Sequence, residues 1–205
     1  MKITWLGHSC FKVESDGYSA VLDPYADGSV PGLGDVRETA DIVLCSHGHD
    51  DHNAAGNVNL RGSGAAPFDV SFIDTWHDNV RGKMRGSNRI TILSDGKMTL
   101  VHMGDLGCDL TPAQYEEIGH PDVLLIPVGG FFTINAKQAA AIADRIGARV
   151  TVPMHFKSKS FGYKVIGTVD GFVERQKNVK KYGSELEITE DMPEQTAVMR
   201  PKLMK

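Results

Sequence analysis

Apolar residues in the first part of the chain come in short runs cut by turn residues. Residues 2–6, 10–14 and 18–22 read as strands, broken by Gly7-His8-Ser9 and Ser15-Asp16-Gly17. The Asp-Gly pair predicts a tight hairpin. Residues 41–46 predict the next strand, and the Gly-, Ala- and Asn-rich stretch 53–68 predicts a loop with a short helix that Asn53 would cap. Strand patterns resume at 69–76, 89–94 and 98–103, the last two joined at Asp95-Gly96. Thr111 and Pro112 then open a helix to about 118, as N-cap and first helical residue. The run 123–126 reads as a buried strand, 135–146 as an Ala-rich helix closed by Gly147, and 149–153 as a returning strand. Residues 122–153 therefore predict a β-α-β unit. A helix around 168–177 and a strand at 185–189 follow, and the pattern from Glu190 onward predicts nothing definite. Hairpins first and alternation later predict an α/β (α+β) fold of two mixed β-sheets flanked by helices. No linker, compositional break or repeat interrupts it, so residues 1–205 are expected to form a single domain.

Composition narrows the function classes. With 41% hydrophobic and 23% charged residues, the 205-residue chain has the balance of an ordinary soluble domain. A net charge of −4 argues against an electrostatic grip on nucleic acid or an anionic membrane. Cys10, Cys45 and Cys108 are scattered and odd in number, which points to reduced thiols rather than a disulfide framework. The opening residues lack a signal-peptide pattern, and no apolar run reaches the roughly 20 residues of a membrane span. A cytoplasmic protein acting on a small molecule is the expectation, and scattered apolar surface is compatible with a homo-oligomer.

The densest chemistry lies in His47-Gly48-His49-Asp50-Asp51-His52, just past the strand 41–46. Imidazole nitrogens and carboxylate oxygens are ligands of zinc, manganese and iron. In an extended segment, positions i and i+2 face one way, so His47 and His49 can reach one ion. Asp51 and His52 follow a change of direction and can serve a second. Six residues cannot close two sites, so further ligands must come from later strand ends. His77, His102 with Asp105, and His155 each follow an apolar run and are the candidates. His120, in Gly-His-Pro, reads as a turn residue.

The pattern H-x-H-x-D-H after a strand resembles the signature of the metallo-β-lactamase fold superfamily. His102-Met103-Gly104-Asp105-Leu106-Gly107 is similar to its Gly-Asp motif, and Pro153-Met154-His155-Phe156 to its final His motif. Trp5-Leu6-Gly7-His8-Ser9, Leu22-Asp23-Pro24 and Pro127-Val128-Gly129-Gly130 look like one branch, the Zn-dependent hydrolases that include L-ascorbate-6-phosphate lactonase. The resemblance implies a four-layer αβ/βα sandwich with two metal ions, zinc with manganese as the alternative. It implies His47, His49 and His77 around one ion, Asp51, His52 and His155 around the other, and Asp105 between them. His77 rests on Trp76-His77-Asp78 alone, with His102 its competitor. His49 stands where di-iron relatives carry Glu, so oxygen chemistry is not implied.

The implied activity is hydrolysis of a small ester, lactone or phosphate-containing metabolite by a metal-activated water, with Asp51 and Asp105 in the catalytic centre. His8 is expected to shuttle a proton or touch substrate, or else simply to sit in a turn. Asp50 and Asp23 are candidates to orient a ligand imidazole. Arg81, Lys83, Arg85 and Arg89 concentrate positive charge after His77. Arg85-Gly86-Ser87-Asn88 resembles the branch's Arg-Gly-x-Asn segment, so Arg85 and Asn88 are expected at the substrate, with Lys157 from beyond His155. Cys108, beside the Gly-Asp motif, reads as packing or as an oxidisable thiol. A nuclease or phosphodiesterase of the same fold is the alternative activity, and a metal-binding protein without turnover the alternative class.

Overall fold

The computed structural model describes residues 1–62 and 68–205. Strands β1 (Lys2–Gly7), β2 (Cys10–Ser15) and β3 (Tyr18–Leu22) pair antiparallel. Asp16 and Gly17, at φ 48° and 84°, make the two-residue turn whose twist matches the flanking strands. The expected strand 41–46 is the shorter β5 (Ile42–Leu44), and β4 (Glu38–Ala40) precedes it. β5 lies parallel to β3, with Leu22 opposite Leu44, while β4 pairs with β6 (Val58–Leu60) in a small separate sheet. Before β6, a 3-10 turn at Ala55–Asn57 has no side-chain cap, so Asn53 does not cap a helix here. The expected loop at 53–68 lies partly outside the described residues.

The second sheet begins with β7 (Asp69–Trp76), β8 (Ser87–Ser94) and β9 (Thr99–His102), paired antiparallel. Helix α1 (Pro112–Ile118) starts at Thr111, whose hydroxyl takes the Gln114 amide while Gln114 returns the bond. β10 (Val123–Pro127), α2 (Ala136–Ile146) and β11 (Val150–Met154) form the β-α-β unit, its strands parallel and its helix closed by Gly147 in the left-handed conformation. Helix α3 (Asp170–Val173) is much shorter than 168–177, because Gly171 and the β-branched Val169 and Val173 propagate a helix poorly. β12 (Val179–Lys181), β13 (Glu185–Glu187) and β14 (Gln195–Val198) complete the chain.

The sheet orders are β13-β1-β2-β3-β5 and β12-β14-β11-β10-β9-β8-β7. The fold is thus a mixed α/β sandwich dominated by sheet. Its α-helices all follow β9; first-half connections among the described residues are loops, the 3-10 turn and the small sheet. One core joins both sheets. Trp5 packs at 5.2 Å from Phe156, and Phe11 at 6.2 Å from His102, across the sheet interface. Each such side chain taken from water contributes roughly 1.5–3 kcal/mol.

Parallel pairing decides where chemistry collects. β3 and β5 run together, so Asp23 and Ser46 emerge side by side. β9, β10 and β11 also run parallel, so Asp105 and His155 leave the same edge of the other sheet. Pocket-forming groups gather at such carboxyl ends.

Candidate metal centre

Three groups of donor atoms each lie within 4.8 Å of one another: His47, His49 and His77; His8, Asp51, His52 and His155; and His47, His52 and Asp105. The groups adjoin. The His47 ring stands 4.7 Å from those of His49 and His77 and 4.3 Å from that of His52. Asp105, 1% exposed, occupies the middle. One of its oxygens lies 3.2 Å from His52 Nε2; the other lies 3.3 Å from His77 Nε2 and 3.2 Å from His155 Nε2.

These residues fit a cation. His47 Nε2, His52 Nε2, His155 Nε2 and Asp105 Oδ1 are buried with no hydrogen-bond partner, although several approach another donor closely. Buried polar atoms normally find partners. Close approach without hydrogen-bond direction is what lone pairs aimed at a shared ion produce. Nitrogen-rich donors with carboxylates suit zinc, and nothing in the set requires iron.

Neighbouring groups fix the ring tautomers. Asp23 Oδ2 accepts from His52 Nδ1 at 2.7 Å and from the Ser46 hydroxyl at 2.6 Å, and Asp23 Oδ1 accepts the Ser46 amide at 2.7 Å. With its proton given to Asp23, Ser46 Oγ accepts from His47 Nδ1 at 2.9 Å. One buried carboxylate therefore turns the Nε2 lone pairs of both His47 and His52 into the site. Asp50, the other candidate for that task, is exposed.

Electrostatics follow from this packing. Burial and His52 push His47 down to about 3, so it is neutral and ready to bind at pH 7. Burial also lowers His77. His52 shows the opposite direction: burial lowers it, but Asp105 and Asp23 on either side outweigh burial and raise it. Burial would raise Asp105, yet His155 and His52 hold it well below the usual carboxylate range.

His77 and His102 separate clearly. His102 Nε2 donates to the Ser9 carbonyl at 2.8 Å, and its Nδ1 accepts the Gly104 amide at 3.1 Å. Both nitrogens are spent on backbone, and it joins none of the donor groups. His77→Ala is therefore expected to lose bound metal, whereas His102→Ala keeps the metal and lowers the melting temperature. Elemental analysis and thermal unfolding read the two effects, and an unchanged metal content in His77→Ala would remove His77 from the set.

Several expected roles change. His8 is 1% exposed and is not among the residues that line the cleft. Its Nε2 lies 3.2 Å from Asp51 Oδ2, and its carbonyl accepts from Trp5 Nε1 at 3.0 Å and from the His155 amide at 3.3 Å. Burial and His155 lower its pKa to about 4, leaving it a neutral brace between Asp51 and His155. Asn88 does not line the cleft either. Its amide nitrogen donates to Thr75 Oγ1 and the Met103 carbonyl, and its oxygen accepts the Asp105 amide at 2.8 Å. Buried and fully bonded, it positions Asp105. Gly104 allows that close approach: at φ 55°, an added Cβ would stand 2.4 Å from Asn88 Oδ1. Lys157 donates to the Lys164 carbonyl and borders a different cavity, away from the donor groups. Burial raises the Cys108 thiol, which fits packing rather than a reactive thiolate.

A cleft of about 320 Å³ opens over the centre, lined by His49, Asp51, His77, Asp105, Arg85, Phe132 and Tyr163. Phe132 and Tyr163 carry no signal in the sequence, since nothing distinguishes a loop aromatic at a site from one that packs. The Tyr163 hydroxyl donates to the Ser29 carbonyl at 2.9 Å and lies 3.4 Å from Asp51. Burial and Asp51 raise its pKa.

Comparisons with known proteins agree with this geometry. Residues 2–155 match the family model described as a beta-lactamase superfamily domain. A UPF0173 metal-dependent hydrolase of Carboxydothermus hydrogenoformans is 30% identical over an alignment of 193 positions, covering 77% of this chain and 85% of the relative. A crystal structure from Thermotoga maritima, described as a candidate Zn-dependent hydrolase of the metallo-beta-lactamase superfamily, is 34% identical. It covers 97% of both chains with a TM-score of 0.77. Human tRNase Z, short form, shares the fold alone, at 11% identity and a TM-score of 0.56 over 76% of this chain and 93% of its own. No comparison singles out the ascorbate-6-phosphate lactonase. From the donor groups, the fold and these matches, the chain belongs to the beta-lactamase superfamily, among its UPF0173 metal-dependent hydrolases.

Proposed function

We propose that this chain hydrolyses a small ester, lactone or phosphate-containing metabolite at a two-metal centre. The observation that carries the reading is the meeting of two donor sets at one buried carboxylate, Asp105, beneath an open cleft. His47, His49 and His77 would hold one ion, Asp51, His52 and His155 the other, and Asp105 would serve both. Zinc is the metal the donor set favours. Bound there, the ions supply a water activated near neutral pH and polarise the attacked oxygen. The chain's own residues do the rest. Asp23 and Ser46 hold His47 and His52 in the ligating tautomer, Asn88 holds the Asp105 loop, and His8 braces Asp51. Phe132 and Tyr163 wall the cleft and orient what enters.

A cleft of about 320 Å³ is at the small end of ligand sites, which supports a metabolite rather than a polymer as substrate. Free Cys10, Cys45 and Cys108 are consistent with a reducing compartment. No helix among the described residues is long and apolar enough to cross a membrane. The test is a screen of esters, lactones and phosphodiesters before and after chelation. Activity should vanish with the metal and return with about two equivalents of zinc per chain. Full activity in the chelated protein would overturn the mechanism.

A further inference from the structure

Arg85 differs from the arginines that are held in ion pairs. Arg37, Arg61, Arg89 and Arg149 each have a carboxylate within 4.0 Å. The Arg85 guanidinium, among the described residues, has no hydrogen-bond or carboxylate partner, and it lines the cleft over the metal ligands. Its one contact is a ring: it lies 5.5 Å over the centroid of Phe132. Phe132 touches Tyr163 on one side, at 5.9 Å between ring centroids, and Phe131 on the other, at 4.8 Å. Phe131 is 64% exposed. A bare guanidinium thus stands beside an aromatic wall at the mouth of a reaction site.

The backbone under Arg85 is held with unusual care. The buried carboxylate of Asp78 accepts four backbone amides. One oxygen takes Val80 and Gly82 at 2.9 and 2.8 Å, and the other takes Met84 and Arg85 at 2.9 and 2.8 Å. The loop closes on itself through Gly86 N–H to the Gly82 carbonyl and His77 N–H to the Gly86 carbonyl. Arg81 and Gly82, at φ 59° and 77°, supply the left-handed turns that let successive amides face one point. The Asp78 carboxylate bonds to loop amides rather than to a donor nitrogen, although Asp78 follows His77 in the chain, and it does not line the cleft. Its four bonds order one loop, and Arg85 is the cation of that loop that lines the cleft. A free guanidinium loses less entropy on binding when its Cα is fixed, and its planar fork matches two oxygens of an oxyanion.

We propose that Arg85, positioned by Asp78 and backed by Phe132, is an oxyanion-binding subsite, so that the substrate carries a carboxylate or phosphate on an apolar body. This assignment of substrate class rests on the hydrolase reading above. Asp78 is a positioning residue that acts through Arg85, and zinc content reads any effect through the adjoining His77. The Phe132–Tyr163 wall takes the apolar part of the molecule and the metal centre the scissile group.

Calorimetry on the zinc-loaded protein tests it, with phenylacetate, phenyl phosphate and the neutral phenylacetamide as probes. The wild type should bind an anion at least tenfold tighter than the amide, and the tighter of the two anions identifies the oxyanion. Arg85→Ala should reduce that preference by about tenfold to a hundredfold, the span expected for a lost charge-assisted fork. Arg85→Lys should recover only part of it. Asp78→Asn should reduce the preference likewise, and Asp78→Asn with Arg85→Ala should do no more than Arg85→Ala alone. Lys83→Ala, an exposed cation of the same loop, should change nothing, which separates a fitted site from general charge. Zinc content checks that each variant is intact, and the two Arg85 variants decide the matter if Asp78→Asn fails to fold. An anion preference that survives Arg85→Ala would place the anion on the metals alone and overturn the proposal. Absence of any hydrolytic activity in a wild type that still shows an Arg85-dependent preference would overturn the hydrolase reading instead.

Discussion

Asp105→Asn is expected to lower kcat/KM by about a thousandfold and to reduce bound zinc from two ions per chain to one or fewer. Asn preserves the shape of the side chain and removes its charge. That charge sits among His52, His77 and His155 with both oxygens within 3.3 Å of ring nitrogens. One carboxylate thus serves donors from three separate segments, and no other acid among the described residues does so. A thousandfold loss corresponds to about 4 kcal/mol of transition-state stabilisation, the scale at which a metal ion contributes to charge development. The Asn amide would also aim N–H groups at imidazole lone pairs, blocking the nitrogens a cation needs. Steady-state kinetics with elemental analysis measures both effects. Two retained ions with kcat/KM within tenfold of wild type would show that Asp105 is not shared between the ions.

The second large effect concerns a residue that would touch neither metal nor substrate. Asp23→Asn is expected to weaken zinc binding by about tenfold to a hundredfold at both positions. Asp23 orders His52 directly and His47 through the Ser46 hydroxyl, so it reaches one ring of each donor set. Its carboxylate is fully buried. Burial would raise its pKa, but His102 and His52 outweigh that and keep it ionised. Ser46→Ala removes only the branch to His47 and should weaken one ion while sparing the other. Titration against a chromophoric chelator resolves the two steps. If Asp23→Asn binds both ions as tightly as wild type, the relay does not set the tautomers.

Much of the site can be read from the chain because its donors fall at strand ends. His47, His49, Asp51 and His52 are contiguous, and His77, Asp105 and His155 each end an apolar run that becomes β7, β9 or β11. Periodicity marks strands, turn residues mark their ends, and unusual side chains there stand out. What escapes is whatever depends on burial. Asn88 and Lys157 have the polarity of substrate contacts, yet one is buried against the Asp105 loop and the other turns to a neighbouring carbonyl. His8 looks like a mobile turn histidine and is instead enclosed. Asp78 is an ordinary acid until four amides converge on it. Short strands are missed for a related reason. β4, β6, β12 and β14 have three or four residues each, too few to display alternation, and their partners alone make them strands.

The placement of the last strands bears on how the protein is made. All the proposed ligands precede residue 156, but β13 pairs with β1 at one edge of the first sheet, and β12 and β14 extend the second beside β11. A ribosome would therefore release all the proposed ligands before either sheet can be completed. Segment 179–198 reaches both sheets at once, so its emergence is the step at which the nascent chain closes.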